Sequence, residues 1–190
     1  MAPRIHCWLS TALTRWFPRS EPGTHQSLKL QALRGEQVSF QACVKVTGTD
    51  SPVEVSARLA GGEGLGLQLR RVGCVPVPHH NTLTPEDELD GLGHIPGYVP
   101  DVLFTDAATR VAPNEVQSFW VTVRVPADLP TGAQKLTVLL QVGDKTAKLP
   151  VTIDVLGAVL QPRQNFPVTH WFYVDSLCDW YQVDPWTRPL

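Results

Sequence analysis

Hydrophobic and polar residues alternate strictly in four stretches of the chain. In "VSFQACVKV", Val38, Phe40, Ala42, Val44 and Val46 fall on one side, and Ser39, Gln41, Cys43 and Lys45 on the other. "QSFWVTVRVP" sets Phe119, Val121, Val123 and Val125 against Trp120, Thr122 and Arg124. The same period runs through Leu136, Val138, Leu140 and Val142, and again through Leu149, Val151, Ile153 and Val155. Side chains on extended backbone project alternately, so this pattern predicts strands with one buried face each.

The connections agree. "PADLPTGA", with Pro126, Pro130 and Gly132, reads as a loop, and the Gly143-Asp144 step in "VGDKT" reads as a tight hairpin turn. Pro150 has no N–H to give a ladder, which predicts that the last strand lies at an edge or carries a bulge there. The 17 prolines and 14 glycines are scattered between apolar runs, as suits many short strands and turns. Residues 1–160 are therefore expected to form an all-β, immunoglobulin-like antiparallel β-sandwich.

Between Arg70 and Asp106 the alternation relaxes into prolines, the acidic "PEDELD" and "HIPGYVPD". A long irregular segment inside a compact domain usually serves a function or an interface, and this one is expected to be an ordered loop. After Leu160, "QPRQNFP" reads as a linker. "VTHWF" follows as a short apolar strand, with Asp175 placed to cap a helix carrying Leu177, Trp180 and Tyr181 on one face and ending at Asp184-Pro185. A strand passing into a helix is half of a βα unit, which needs a parallel partner strand. No partner follows in this sequence, so residues 161–190 are expected to be a linker and the truncated start of a second domain.

Composition narrows the function classes. Hydrophobic content of 43% with 18% charged residues is that of a globular protein, and a net charge of −2 gives no reason to expect nucleic acid as a partner. No apolar window is long enough to cross a bilayer as a helix. The N-terminal "MAPRIHCWLSTALTRWF" is broken by Ser10, Thr11 and Thr14 and closed by Arg15, so it does not read as a secretion signal. Trp8, Leu9 and Leu13 are expected in the first element of the fold instead, and the chain in the cytoplasm. Cys7, Cys43, Cys74 and Cys178 form no C-x-x-C pair, which argues for free thiols rather than a metal knuckle or a disulfide framework.

Six segments occur together and in order: "LRGEQVSFQ", "VPVPHHN", "IPGYVPDVLF", "QSFWVTVRVPADLPTG", "KLPVTIDV" and "HWFYVDSLCDWY". In this the chain resembles, from about Trp8 to Trp186, the N-terminal region of uncharacterised proteins similar to glycoside hydrolase family 123. It departs at "GAQKL", where that group carries a Gly-x-Tyr pattern. The resemblance implies a β-sandwich preceding a catalytic (β/α)-barrel, with "HWFYVDSLCDWY" as the first barrel strand and the start of its helix. The Asp-Glu pair of the characterised relatives would lie in the barrel, beyond residue 190, and no catalytic residue carries over.

Candidate chemistry is correspondingly spare. Asp175 and Asp179 share a helix face, and one face cannot surround a sugar ring as a glycosidase's two carboxylates must. His79, His80, His94 and Asp101 are metal-ligand types, but their spacing matches no closed zinc motif, and neither a metal nor another cofactor is expected. With Asn81, these residues are expected to line the surface where the sandwich meets the barrel. Tyr98, His170, Trp171 and Trp180, with other aromatics near them, admit two readings: side chains covered by the missing barrel, or platforms on which a sugar stacks. Glu36 is expected to pair with Arg34 or another basic group. The principal expectation is a non-catalytic module that packs against a catalytic barrel and shapes its cleft. The alternative is a free-standing carbohydrate-binding module.

Overall fold

A computed structural model describes residues 3–163, 167–169 and 173–184. The chain divides into two units, Met1–Leu160 and Gln161–Leu190. Among the described residues the first contains ten strands: β1 (Arg4–Thr11), β2 (Leu28–Arg34), β3 (Gln37–Thr47), β4 (Val53–Gly61), β5 (Gly66–Val77), β6 (Gly97–Phe104), β7 (Ala108–Val111), β8 (Val116–Arg124), β9 (Gly132–Val142) and β10 (Lys145–Val159). They form two five-stranded sheets, ordered β1-β3-β8-β5-β6 and β2-β10-β9-β4-β7. All pairings are antiparallel except β2 with β10, which is parallel. This is an immunoglobulin-like β-sandwich.

The alternating apolar residues meet between the sheets. Phe40, Ala42, Val44 and Val46 of β3 and Phe119, Val121 and Val123 of β8 pack with Leu136, Val138, Leu140, Leu149, Val151 and Ile153 of the facing sheet. β9 and β10 join through Gly143 and Asp144, with Val142 paired to Lys145. Gly143 takes φ 53°, the left-handed conformation this tight turn requires and glycine adopts without strain.

Several sequence expectations change here. β10 is not an edge strand: it lies between β2 and β9. Its pairing with β2 begins only at Val151, however, so at Pro150 the strand has a neighbour on the β9 side alone, and the missing N–H is tolerated. The irregular segment between Arg70 and Asp106 is shorter than the sequence suggests. Both ends are strands, and the loop proper runs over residues 78–96 with one 3₁₀ turn at Glu86–Glu88. Pro76 in β5 and Pro100 in β6 conceal those strands from the periodicity. Glu36 does not pair with Arg34; it accepts from the backbone N–H of Leu33 at 2.7 Å, while Arg34 donates to the Gly157 carbonyl at 2.7 Å.

The largest departure concerns the outer face of the first sheet. Gln41, Cys43 and Lys45, the polar set of β3, are buried along with its apolar set, with Gln41 only 4% exposed and Lys45 only 6%. The segment between β1 and β2 crosses this face as a strap. Trp8 stands opposite Cys43 in the β1–β3 register and packs with Cys43, Val116 and Trp16. Its ring meets that of Trp16 edge-on at 5.0 Å. The buried polar groups are then satisfied by strap backbone. Gln41 Nε2 donates to the carbonyls of Thr11 (3.2 Å) and Thr14 (2.7 Å), and Lys45 Nζ donates to that of Ser20 (2.8 Å). The Leu9 N–H donates to His25 and the Val116 N–H to Pro18, each at 2.8 Å. Leu13, expected in the first element, lies past the end of β1 and is 95% exposed.

This second layer governs thiol chemistry. Burial pushes the Cys43 thiol up to about 12 and the Cys7 thiol up to about 11. At about pH 8 roughly one Cys7 thiol in a thousand would then be ionised, and the thiolate is the reactive species. Ellman's reagent on the native protein is therefore expected to modify exposed Cys74 well before Cys7 or Cys43, with all becoming reactive in guanidinium. Peptide mapping after timed labelling checks this, and early labelling of Cys43 in the native state would contradict it.

In the second unit the helix α1 spans Val174–Tyr181. Asp175 is not its N-cap: that position belongs to Tyr173, and Asp175 sits in the first turn, where its charge favours the helix N-terminus. The helix closes at Gln182 in a left-handed conformation, before Asp184 is reached. His170, Trp171 and Phe172, in the predicted preceding strand, lie outside the described residues. Among the described residues no helix is long and apolar enough to cross a membrane.

Candidate functional site

The same outer face is only partly covered by the strap, and the uncovered part forms a cavity of about 490 Å³. Its floor follows from strand register. Gln41 of β3 stands opposite Trp120 of β8, which stands opposite Arg70 of β5, so the three side chains form one row across the sheet. Gln41 and Trp120 line the cavity together with Val72 of β5 and Pro100, Asp101 and Leu103 of β6. Residues 12–16 of the strap close one side.

The loop at residues 78–96 supplies the remaining wall through Asp90. Arg15 Nη1 pairs with Asp90 Oδ2 at 3.0 Å, joining strap to loop at the rim. A second junction lies nearby: the Phe17 and His94 rings stack at 4.3 Å with 5° between their planes. Gly91 permits that approach, since a Cβ there would lie 2.7 Å from the Phe17 ring, and its φ of +79° suits glycine alone. The rim is thus held by one ion pair and one ring stack, on a floor set by sheet register.

Of the residues expected to act, Asp101 lines this cavity, and His94 supports its rim through Phe17 without lining it. His79 is exposed, with Nδ1 2.9 Å from the His80 carbonyl. His80 is half-buried, and its Nε2 has no hydrogen-bond partner. Asn81 serves its own loop, its Oδ1 accepting from the Leu83 N–H at 3.1 Å. Tyr98 is exposed on the edge strand β6. Trp180 is 81% exposed on α1, and His170 and Trp171 lie outside the described residues. The histidines are not gathered with Asp101, and among the described residues no group of three or more His, Cys, Asp or Glu is placed to hold a metal ion.

Trp120, Gln41, Arg15 and Asp90 line the cavity without being among the residues expected to act. For Trp120 a signal exists: it is a large aromatic on the otherwise polar side of "QSFWVTVRV", where a solvated face would carry none. Arg15 and Asp90 give no comparable signal, because only the folding of two separate loops brings them together.

The fold defines a two-sheet β-sandwich with a partly roofed outer face. Comparison with known proteins adds one extended likeness. The chain is similar to a family 123 glycoside hydrolase from Clostridium perfringens, solved in a study of glycolipid glycan hydrolysis, with a TM-score of 0.67 and 12% identity. The match covers 95% of this chain and 32% of that one, so the chain spans about a third of the hydrolase's length. Weaker likenesses are to the seventh ScaB type I cohesin of Pseudobacteroides cellulosolvens (14% identity, TM-score 0.33, covering 74% of this chain and 95% of that one) and to BcpA, the major pilin subunit of Bacillus cereus (9%, 0.39, 81% and 40%). No family model and no curated protein matches the chain. At these identities the likeness is one of fold.

Proposed function

We propose that this chain is the non-catalytic β-sandwich module of a glycoside-hydrolase-like protein, packing against a catalytic barrel and shaping the rim of its cleft. The observation that carries this reading is the match of 95% of the chain to about a third of a family 123 glycoside hydrolase, at a TM-score of 0.67. On this reading the sandwich is the N-terminal part, and residues 161–190 lead into the barrel.

Two structural features support it. Neither carboxylate at the cavity, Asp90 or Asp101, is buried, whereas a glycosidase needs one carboxyl set in surroundings that keep it protonated. The helix α1 and its N-cap also present Tyr173, Leu177, Trp180 and Tyr181 to solvent, an apolar set of the kind that a neighbouring domain covers. The free thiols suit a reducing compartment, and we place the protein in the cytoplasm.

The coding DNA downstream of Leu190 tests the arrangement. A same-strand reading frame encoding further alternating strands and helices is expected, and unrelated sequence there would overturn the reading. An assay of the purified chain on p-nitrophenyl glycosides is expected to show no turnover. Turnover abolished by Asp90→Asn or Asp101→Asn would make the sandwich itself the enzyme.

A further inference from the structure

We infer that the cavity over Trp120 is a binding site for a neutral sugar of about one or two rings. Size comes first: about 490 Å³ lies within the range of small-molecule sites and is too large for an ion. Shape comes next. Trp120 is a half-buried aromatic on the floor, and strand pairing on both sides fixes its backbone position. The C–H face of a pyranose stacks on such a ring.

Charge then selects among ligands. An anionic ligand would meet the carboxylates of Asp90 and Asp101. A cationic one would meet Arg15 at the rim, with Arg70 beside Trp120 in the strand row. A neutral ligand avoids both penalties, and hydroxyls suit this lining because each can donate and accept. The exposed Asp101 carboxylate is an acceptor on this lining. The guanidinium of Arg15, 3.0 Å from Asp90, is a donor at the rim.

The inference does not depend on the proposed module role. A sandwich beside a barrel could lack this site, and a free-standing sandwich could have it. The test is saturation-transfer NMR and tryptophan fluorescence on the full chain, with cellobiose, maltose and N,N′-diacetylchitobiose as neutral probes. Glucose 6-phosphate and choline serve as the anionic and cationic arms. At least one neutral disaccharide is expected to saturate the signal at millimolar concentration. Trp120→Ala should weaken that binding at least about tenfold and Asp101→Asn about threefold, with far-ultraviolet circular dichroism and thermal unfolding confirming that the fold persists. Asp101 is exposed, so its variant reads binding without a folding effect. Failure of every neutral sugar to saturate, tighter binding of the charged probes, or sugar binding indifferent to both substitutions would each overturn the inference.

Discussion

Trp8→Ala is expected to lower the stability of the protein by about 3–5 kcal/mol, seen as a lower urea midpoint. A strand-edge tryptophan on the outer face of a sandwich would ordinarily be a surface residue and tolerate such a change. Here Trp8 is 0% exposed and forms the centre of the second layer, in contact with Cys43, Val116 and Trp16. The strap is fitted to it closely: a Cβ at Gly23 would lie 2.4 Å from Trp8 Cδ1. Truncation would leave a void that this segment cannot fill without giving up its bonds to Gln41 and Lys45. Those two buried polar groups would then need other partners, which adds to the loss. Trp8→Phe should cost much less, because it keeps most of the volume and removes an indole N–H that has no partner. Equal midpoints for wild type and Trp8→Ala would show that the strap does not hold the face.

Phe119→Ala is expected to cost a similar ~3–5 kcal/mol, for a different reason. Phe119 is fully buried between the two sheets, opposite Ala42 of β3 and Arg71 of β5, in the apolar layer that both sheets share. A domain of ordinary stability, about 5–15 kcal/mol, would lose a large share of its margin. The next residue provides the control. Trp120 lies on the other face of the same strand and lines the cavity instead of filling the core. Its truncation is expected to leave thermal unfolding within a few degrees of wild type while weakening sugar binding at least about tenfold. If both substitutions unfold the protein equally, the division of β8 into a structural face and a binding face is wrong.

Legibility from sequence followed the physics of each element. β3, β8, β9 and β10 were apparent because their apolar sets face one core and keep a period of two. β5 and β6 were not, since Pro76 and Pro100 interrupt the pattern and their partners lie at the less covered end of the sheet. The polar side of β3 misled for the opposite reason. Gln41 and Lys45 look solvated, and nothing local to β3 shows that a segment from residues 12–27 will cover them. Of the residues lining the cavity, Asp101 stands out in sequence as a polar residue in a proline-rich segment and Trp120 as an aromatic on a polar strand side, whereas Arg15 and Asp90 do not stand out.

What the chain determines by itself is local: which residues extend, where Gly143 turns the backbone, and which side of each strand is apolar. These depend on backbone sterics and on a two-residue period that survives without any knowledge of neighbours. Which faces are covered, and by what, depends on contacts between residues far apart in sequence, such as Arg15 with Asp90 and Phe17 with His94. Only the tertiary structure decides those, because their free energy comes from loop closure and packing that no single segment contains.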